Sequence, residues 1–155
     1  MTAAPTASSI SSMVSNMKEV TNSHEGTWSY TQDDPSITDY INELTGKPYY
    51  RDATTAGNKT IAFTMGMYEF EDRAALQGGK ATDDSWSSPD SPQLVYKSIV
   101  AMTKTGNYIV FTNAGVIAKT NSAEKNLGLG VTAVAMENET AGVADEYLFA
   151  GSDKE

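Results

Sequence analysis

The sequence predicts a mainly β fold, an antiparallel β-sandwich or barrel with one short flanking α-helix. Period-two alternation of apolar and small polar residues recurs along the chain, most plainly over Lys59–Met67 and Leu127–Met136. Turn residues divide these stretches at short intervals, as at Asp33-Asp34-Pro35 and Lys104-Thr105-Gly106-Asn107. A single segment, Tyr68–Gln77, combines good helix formers with a terminating glycine pair, Gly78-Gly79. At 155 residues with 39% hydrophobic content, the chain is one domain with enough apolar material for a core.

In chain order, residues 1–20 read as a flexible arm and residues 21–155 as the single β domain. The first nine residues are Ala, Thr, Ser and Pro without periodicity after the initial Met. Ile10, Met13, Val14 and Met17 then follow helical spacing, with Ser8 or Ser9 as N-cap. Gly26–Thr31 alternates Trp28 and Tyr30 with polar residues and reads as a strand, which Pro35 stops. In Lys59–Met67, Ile61, Phe63, Met65 and Met67 share one face, predicted to be core.

The helix over Tyr68–Gln77 carries its acids in the first turn, where the helix dipole favours them. Residues 79–92 are predicted to form an extended loop, with Trp86 docked on something. Leu94, Tyr96, Val100 and Met102 mark a strand that turns at Lys104–Asn107 into Tyr108–Thr112. Gly115 predicts a bulge or a new strand, and Asn121–Asn126 a polar loop. Leu127, Leu129, Val131, Ala133 and Ala135 alternate in the next strand, and Val143–Phe149 supplies a last edge strand, about seven strands in all.

Composition excludes several functional classes. There is no cysteine, hence no disulfide framework and no thiolate chemistry, and His24 is the only imidazole, in what reads as a solvated turn. The formal charge of −9 repels phosphate backbones. No apolar run is long enough to span a bilayer, so membrane insertion is not expected, and the N-terminus lacks a secretory signal, which predicts a cytoplasmic start.

Adjacent carboxylates (Asp33/Asp34, Glu71/Asp72, Asp83/Asp84, Asp145/Glu146) are numerous, but neighbouring strand residues face opposite sides and do not form a hydrolase pair. The aspartates around Asp83, Asp84 and Asp90 lack the glycine-centred spacing of a calcium loop. The expectation is therefore a chain that is not an enzyme and holds no cofactor and no metal. The densest acidic stretch, from Glu25 to Asp52, has six acids and two bases, among them Asp33, Asp34, Asp39 and Glu43. These four, with Asp83, Asp84 and Trp86, are the candidate assembly or lumen-facing residues; the competing reading is a solvated loop face and a Trp capping its own core.

The block HEGTWSYTQDDPSITDYINELTGKPYYRD, followed by NKTIAFTMGMYEFEDRAALQGG, resembles the major tail tube proteins of tailed phages. The resemblance is clear in about a third of the chain and extends to strand order in the remainder. It implies a β-sandwich or barrel with one flanking helix, assembled into stacked, hexameric rings by strand pairing between neighbours. It further implies a virion tail component made in the bacterial cytoplasm, with tape measure, baseplate and terminator proteins as partners. DNA would slide through a like-charged lumen without specific binding. The alternative is a monomeric β-sandwich binding module for carbohydrate or protein, using Trp28, Tyr49, Tyr50 or Trp86.

Overall fold

The computed structural model describes residues 1–123 and 125–151, and these are mainly β with antiparallel sheets, as the sequence predicts. The order is α1 (Ile10–Ser15), β1 (Ser29–Gln32), β2 (Ser36–Asn42), β3 (Lys47–Thr55), β4 (Lys59–Met65), α2 (Phe70–Gln77), β5 (Lys80–Thr82), β6 (Ser85–Ser87), β7 (Val95–Met102), β8 (Tyr108–Ala123), β9 (Asn126–Ala135) and β10 (Glu146–Phe149). The main sheet runs β1-β4-β9-β8-β10, with β7 also pairing β8. β2 pairs with β3, and β5 with β6, as separate two-stranded ladders.

The core lies on one face of the main sheet, where Ile61, Phe111, Val116, Leu129 and Val131 are almost completely buried. The alternation over Lys59–Met67 placed Ile61, Phe63 and Met65 on that face, and Phe63 packs against the buried cluster. Met67 does not join them, because the strand ends at Met65 and leaves it 72% exposed. Helix α2 carries Glu71 and Asp72 in its first turn and ends at Gly78, whose φ of 81° is the left-handed value that glycine accommodates. Leu76 packs from this helix onto the core.

Two loop expectations give way to regular structure. The predicted loop at 79–92 contains the β5–β6 ladder. In the predicted polar loop at Asn121–Asn126, Asn121 and Ser122 belong to β8, opposite Gly128 and Leu127 of β9, and Asn126 belongs to β9; Glu124 lies outside the described residues. Strands this polar carry no apolar alternation once they pass the edge of the core, so pattern alone did not reveal them.

β8 is continuous through Gly115, and its bulge falls earlier, at Thr112–Asn113. β7 residues Lys97 and Ile99 are two apart, whereas their partners Ala114 and Phe111 are three apart. The extra residue reverses the alternation, so Ile109 and Phe111 point into the core before it and Ala114, Val116 and Ala118 after it. β8 also changes neighbour there, from β10 opposite Tyr108–Phe111 to β9 opposite Ala114–Ala123. Thr112 is fully buried: its N–H donates to Asp145 O (3.0 Å), its Oγ1 donates to Ala144 O (2.6 Å), and its carbonyl accepts from Ser98 Oγ (2.8 Å).

The Thr112 carbonyl also accepts from the amino group of Met1 at 3.0 Å, and Asn138 Nδ2 donates to Met1 O at 2.9 Å. Residues 1–20, expected as a flexible arm, lie along the body in this structure. Pro5 and Ile10 are buried and Lys18 pairs with Asp72 at 2.9 Å. The spacing of Ile10, Met13 and Val14 does form the short helix α1.

β1 and β10, at opposite ends of the strand order, are joined by side chains instead of a backbone ladder. Tyr30 donates its hydroxyl to Glu146 Oε1 at 2.7 Å, and Lys59 Nζ bonds both Glu146 Oε2 (3.0 Å) and Asp145 Oδ2 (3.2 Å). Burial, reinforced by the Glu146 carboxylate, pushes the Tyr30 hydroxyl up to about 12. Burial pulls the Lys59 ammonium down, but its bonds to Glu146 and Asp145 outweigh that effect and leave it raised.

Two outcomes follow from these contacts. Thr112→Val keeps the volume but leaves the Ala144 carbonyl without its donor, and should lower stability by about 1–3 kcal/mol in urea denaturation. Tyr30 and Lys59 are both raised in the folded state, so their stabilisation is complete below pH 10 and is lost as pH rises toward about 12. Denaturation midpoints measured from pH 9 to 12 should fall, and Tyr30→Phe should make that fall shallower.

Candidate assembly interface

β2 and β3 extend β1 and β4 into one long hairpin whose outer half leaves the main sheet. Ladder pairing ends at Gln32 opposite Lys59, lapses across Asp33-Asp34-Pro35, whose proline cannot donate, and resumes at Ser36 opposite Thr55. At the root, Asp33 N–H donates to Asn58 O at 2.9 Å. The backbones approach so closely there that a Cβ on Gly57 would sit 1.7 Å from Asp33 O. At the tip, Gly46 with φ 64° donates to Asn42 O at 2.8 Å, while Leu44 N–H bonds Asn42 Oδ1 at 2.9 Å.

Cross-strand side chains hold the outer half together. Tyr40 faces Tyr50 with ring centroids 5.6 Å apart. Asp39 accepts two bonds from Arg51, at 2.6 Å and 3.0 Å, and that guanidinium holds its carboxyl below the usual range. Nearly every residue of both strands is exposed, including Ile37, Ile41 and Tyr49, and Leu44 at the tip is 95% exposed. The sequence pattern predicts no strands here. A hairpin with no buried face has no reason to alternate, and the remaining signal was the Gly46 turn between two aromatic-containing runs.

Four candidate residues thus fall on one element: Asp33 and Asp34 at the root, Asp39 midway and Glu43 at the tip. The other three lie on the β5–β6 hairpin. Asp83 and Asp84 form its exposed turn, whereas Trp86 is turned inward. Its ring lies 3.8 Å from the Arg73 guanidinium, and its Nε1–H donates to Gly78 O at 2.9 Å. Arg73 in turn bonds Gln77, Tyr68 and Thr120 of β8, so Trp86 ties its hairpin to α2 within its own domain.

The main sheet presents open edges. Among the described residues, β7 pairs only with β8, and β1 only with β4. Tyr96 and Met102 on β7 are 58% and 66% exposed, beside exposed Leu94 and Ile117. Leu94 and Met136 close over Gly115, where a Cβ would lie 2.9 Å from Met136 Sδ. The outward face of β4, β9 and β8 carries Thr60, Ala62, Thr132, Ile117 and Lys119, without a carboxylate.

His24 is fixed in its turn by its backbone, which donates to Thr64 O and accepts from Thr27. Among the described residues, no three His, Cys, Asp or Glu side chains gather as a metal site would require. Nor is any helix among them long and apolar enough to cross a membrane. No protein-family model and no curated protein matches this sequence.

Trp86→Phe retains a ring under Arg73 but loses the bond to Gly78, and should cost about 1 kcal/mol in urea denaturation. Trp86→Ala removes the stacking as well and should cost about 2–3 kcal/mol.

Proposed function

We propose that this protein is a structural subunit that self-assembles into stacked rings, forming the tail tube of a phage or phage-like particle. The observation that carries this reading is the uncovered hairpin β2–β3, a rigid cross-paired element with Ile37, Ile41, Leu44 and Tyr49 open to solvent. Soluble monomers rarely leave contiguous apolar surface of this kind uncovered, because its burial is the main driving force for association. The open edges of β1 and β7 add unpaired backbone donors and acceptors suited to strand pairing between lateral neighbours.

In this reading the rings are hexameric, as in the family the sequence resembles, and the tube is a conduit for DNA or effectors. Tape measure, baseplate and terminator proteins would meet its ends. The net charge of −9 favours passage of a polyanion without retention. Asp33, Asp34, Asp39, Glu43 and Asp52 lie on or at the root of the hairpin and Glu69, Glu71 and Asp72 at the start of α2, so like-charge repulsion would act from these elements more than from the outward sheet face. A monomeric carbohydrate-binding module would need its aromatic rings gathered on one concave surface. Here Tyr50 is packed against Tyr40 on an exposed hairpin and Trp86 lies against Arg73 beside a different hairpin, so the rings are not gathered.

Size-exclusion chromatography with light scattering, followed by negative-stain microscopy, tests the reading. Rings or tubes of uniform diameter are expected, and a chain that stays monomeric at high concentration and never elongates on an initiator complex would sink it. The double variant Tyr96→Lys, Met102→Lys places two lysines on the β7 edge at exposed positions. It should keep the monomer's stability within about 0.5 kcal/mol while abolishing lateral association.

A further inference from the structure

The seam between β1 and β10 gathers one amine and two carboxylates at bonding distance. Lys59 Nζ lies 3.2 Å from Asp145 Oδ2 and 3.0 Å from Glu146 Oε2, and Tyr30 donates its hydroxyl to the other oxygen of Glu146 at 2.7 Å. Each partner is held from behind. Lys59 opens β4 opposite Gln32 of β1, and Glu146 opens β10 opposite Phe111 of β8. Asp145 precedes that strand, so the alternation that sends strand neighbours to opposite faces does not apply to it. Its backbone is fixed all the same, because fully buried Thr112 donates to the Asp145 and Ala144 carbonyls. The side chains of Lys59 and Glu146 are 20% and 11% exposed, and the neighbouring Tyr30 ring packs on Phe111 with centroids 6.3 Å apart. Asp145, at 41%, opens to water on one side.

We propose that Lys59 and Asp145 condense to a side-chain amide, an intramolecular isopeptide bond, with Glu146 as the catalytic residue that moves the protons. Lys59 Nζ starts as an ammonium and passes one proton to Glu146 Oε2, 3.0 Å away. The freed lone pair attacks Asp145 Cγ, and the C–N bond forms as one C–O bond of that carboxylate breaks. The departing oxygen takes the proton held by Glu146 and a second from the nitrogen, and leaves as water. An ammonium and a carboxylate thus become a neutral amide and one water, with Glu146 regenerated, so atoms and charge balance without a co-reactant. Free in solution this condensation is uphill, but an amine and a carboxylate held in contact react at effective molarities of about 10⁵ M or more. The product also removes the desolvation cost of a partly buried charge pair. It joins β4 to the start of β10 across 86 residues of chain, on the side where β1 and β10, among the described residues, share no ladder. The step takes place within one chain and is independent of self-assembly. The alkaline titration of Lys59 belongs to the chain before condensation.

Intact-mass spectrometry of the full-length protein, incubated folded and then denatured, tests this. The wild-type chain is expected to weigh one water less than its sequence, and proteolysis should release the Lys59 and Asp145 peptides as one branched species. Lys59→Arg keeps the positive charge and should show the full sequence mass. Glu146→Gln should slow the loss of water at least about a hundredfold, the lower end for removing a proton-transfer group. A folded wild-type chain that keeps its full mass through prolonged incubation would overturn the proposal, as would a water loss that persists in Lys59→Arg. The wild-type mass decides by itself, whether or not either variant folds.

Discussion

The bulge at Thr112–Asn113 is the constraint around which the domain is arranged. A strand as long as β8 cannot keep a single neighbour on each edge and a single core face along its whole length in a sheet that must twist. One inserted residue resolves both demands, since it swaps the side-chain alternation and lets β10 give way to β9 on the same edge. Thr112 makes this possible by taking up bonds that a straight ladder would have supplied, and its carbonyl also receives the chain's own amino terminus. The fully buried Phe111 on one side of the bulge and Val116 on the other belong to a common core for this reason.

The hairpin obeys the opposite logic. The main sheet is held by burial, whereas β2–β3 is held by its own ladder, a Tyr40–Tyr50 contact and the Asp39–Arg51 pair. The ion pair is exposed and screened by solvent, so the ladder and the aromatic contact carry most of the local stability. That secures the local geometry without covering Leu44 or Ile41. The apolar tip therefore has no structural purpose within the monomer, and its exposure is the cost that an intermolecular contact would recover.

What the sequence disclosed follows the same division. The β class, the α2 boundaries, the turn at Lys104–Asn107 and the core stripe at Ile61 and Met65 were all legible, because burial imposes a period and glycine or proline marks its ends. The hairpin strands were not, since neither face is buried. The position of the bulge was hidden for a different reason: Gly115 attracted attention, but it is needed for the approach of Met136 and Leu94, while the inserted residue lies at an ordinary Thr-Asn pair. Of the candidate residues, the acids of 33–43 proved to share one element, and Trp86 was distinguishable from a surface contact only once Arg73 was seen beside it.

β8 extends for about 50 Å, and its stretch from Gly115, level with the root of the hairpin, to Thr120, level with the far end of β4, runs beside β9. Its antiparallel hydrogen bonds stand perpendicular to that direction. Tension between the hairpin and that far end would load the ladders of β4, β9 and β8 in shear, straining many bonds at once instead of peeling them singly. A molecule pulled end to end would resist through the sheet's strongest mode.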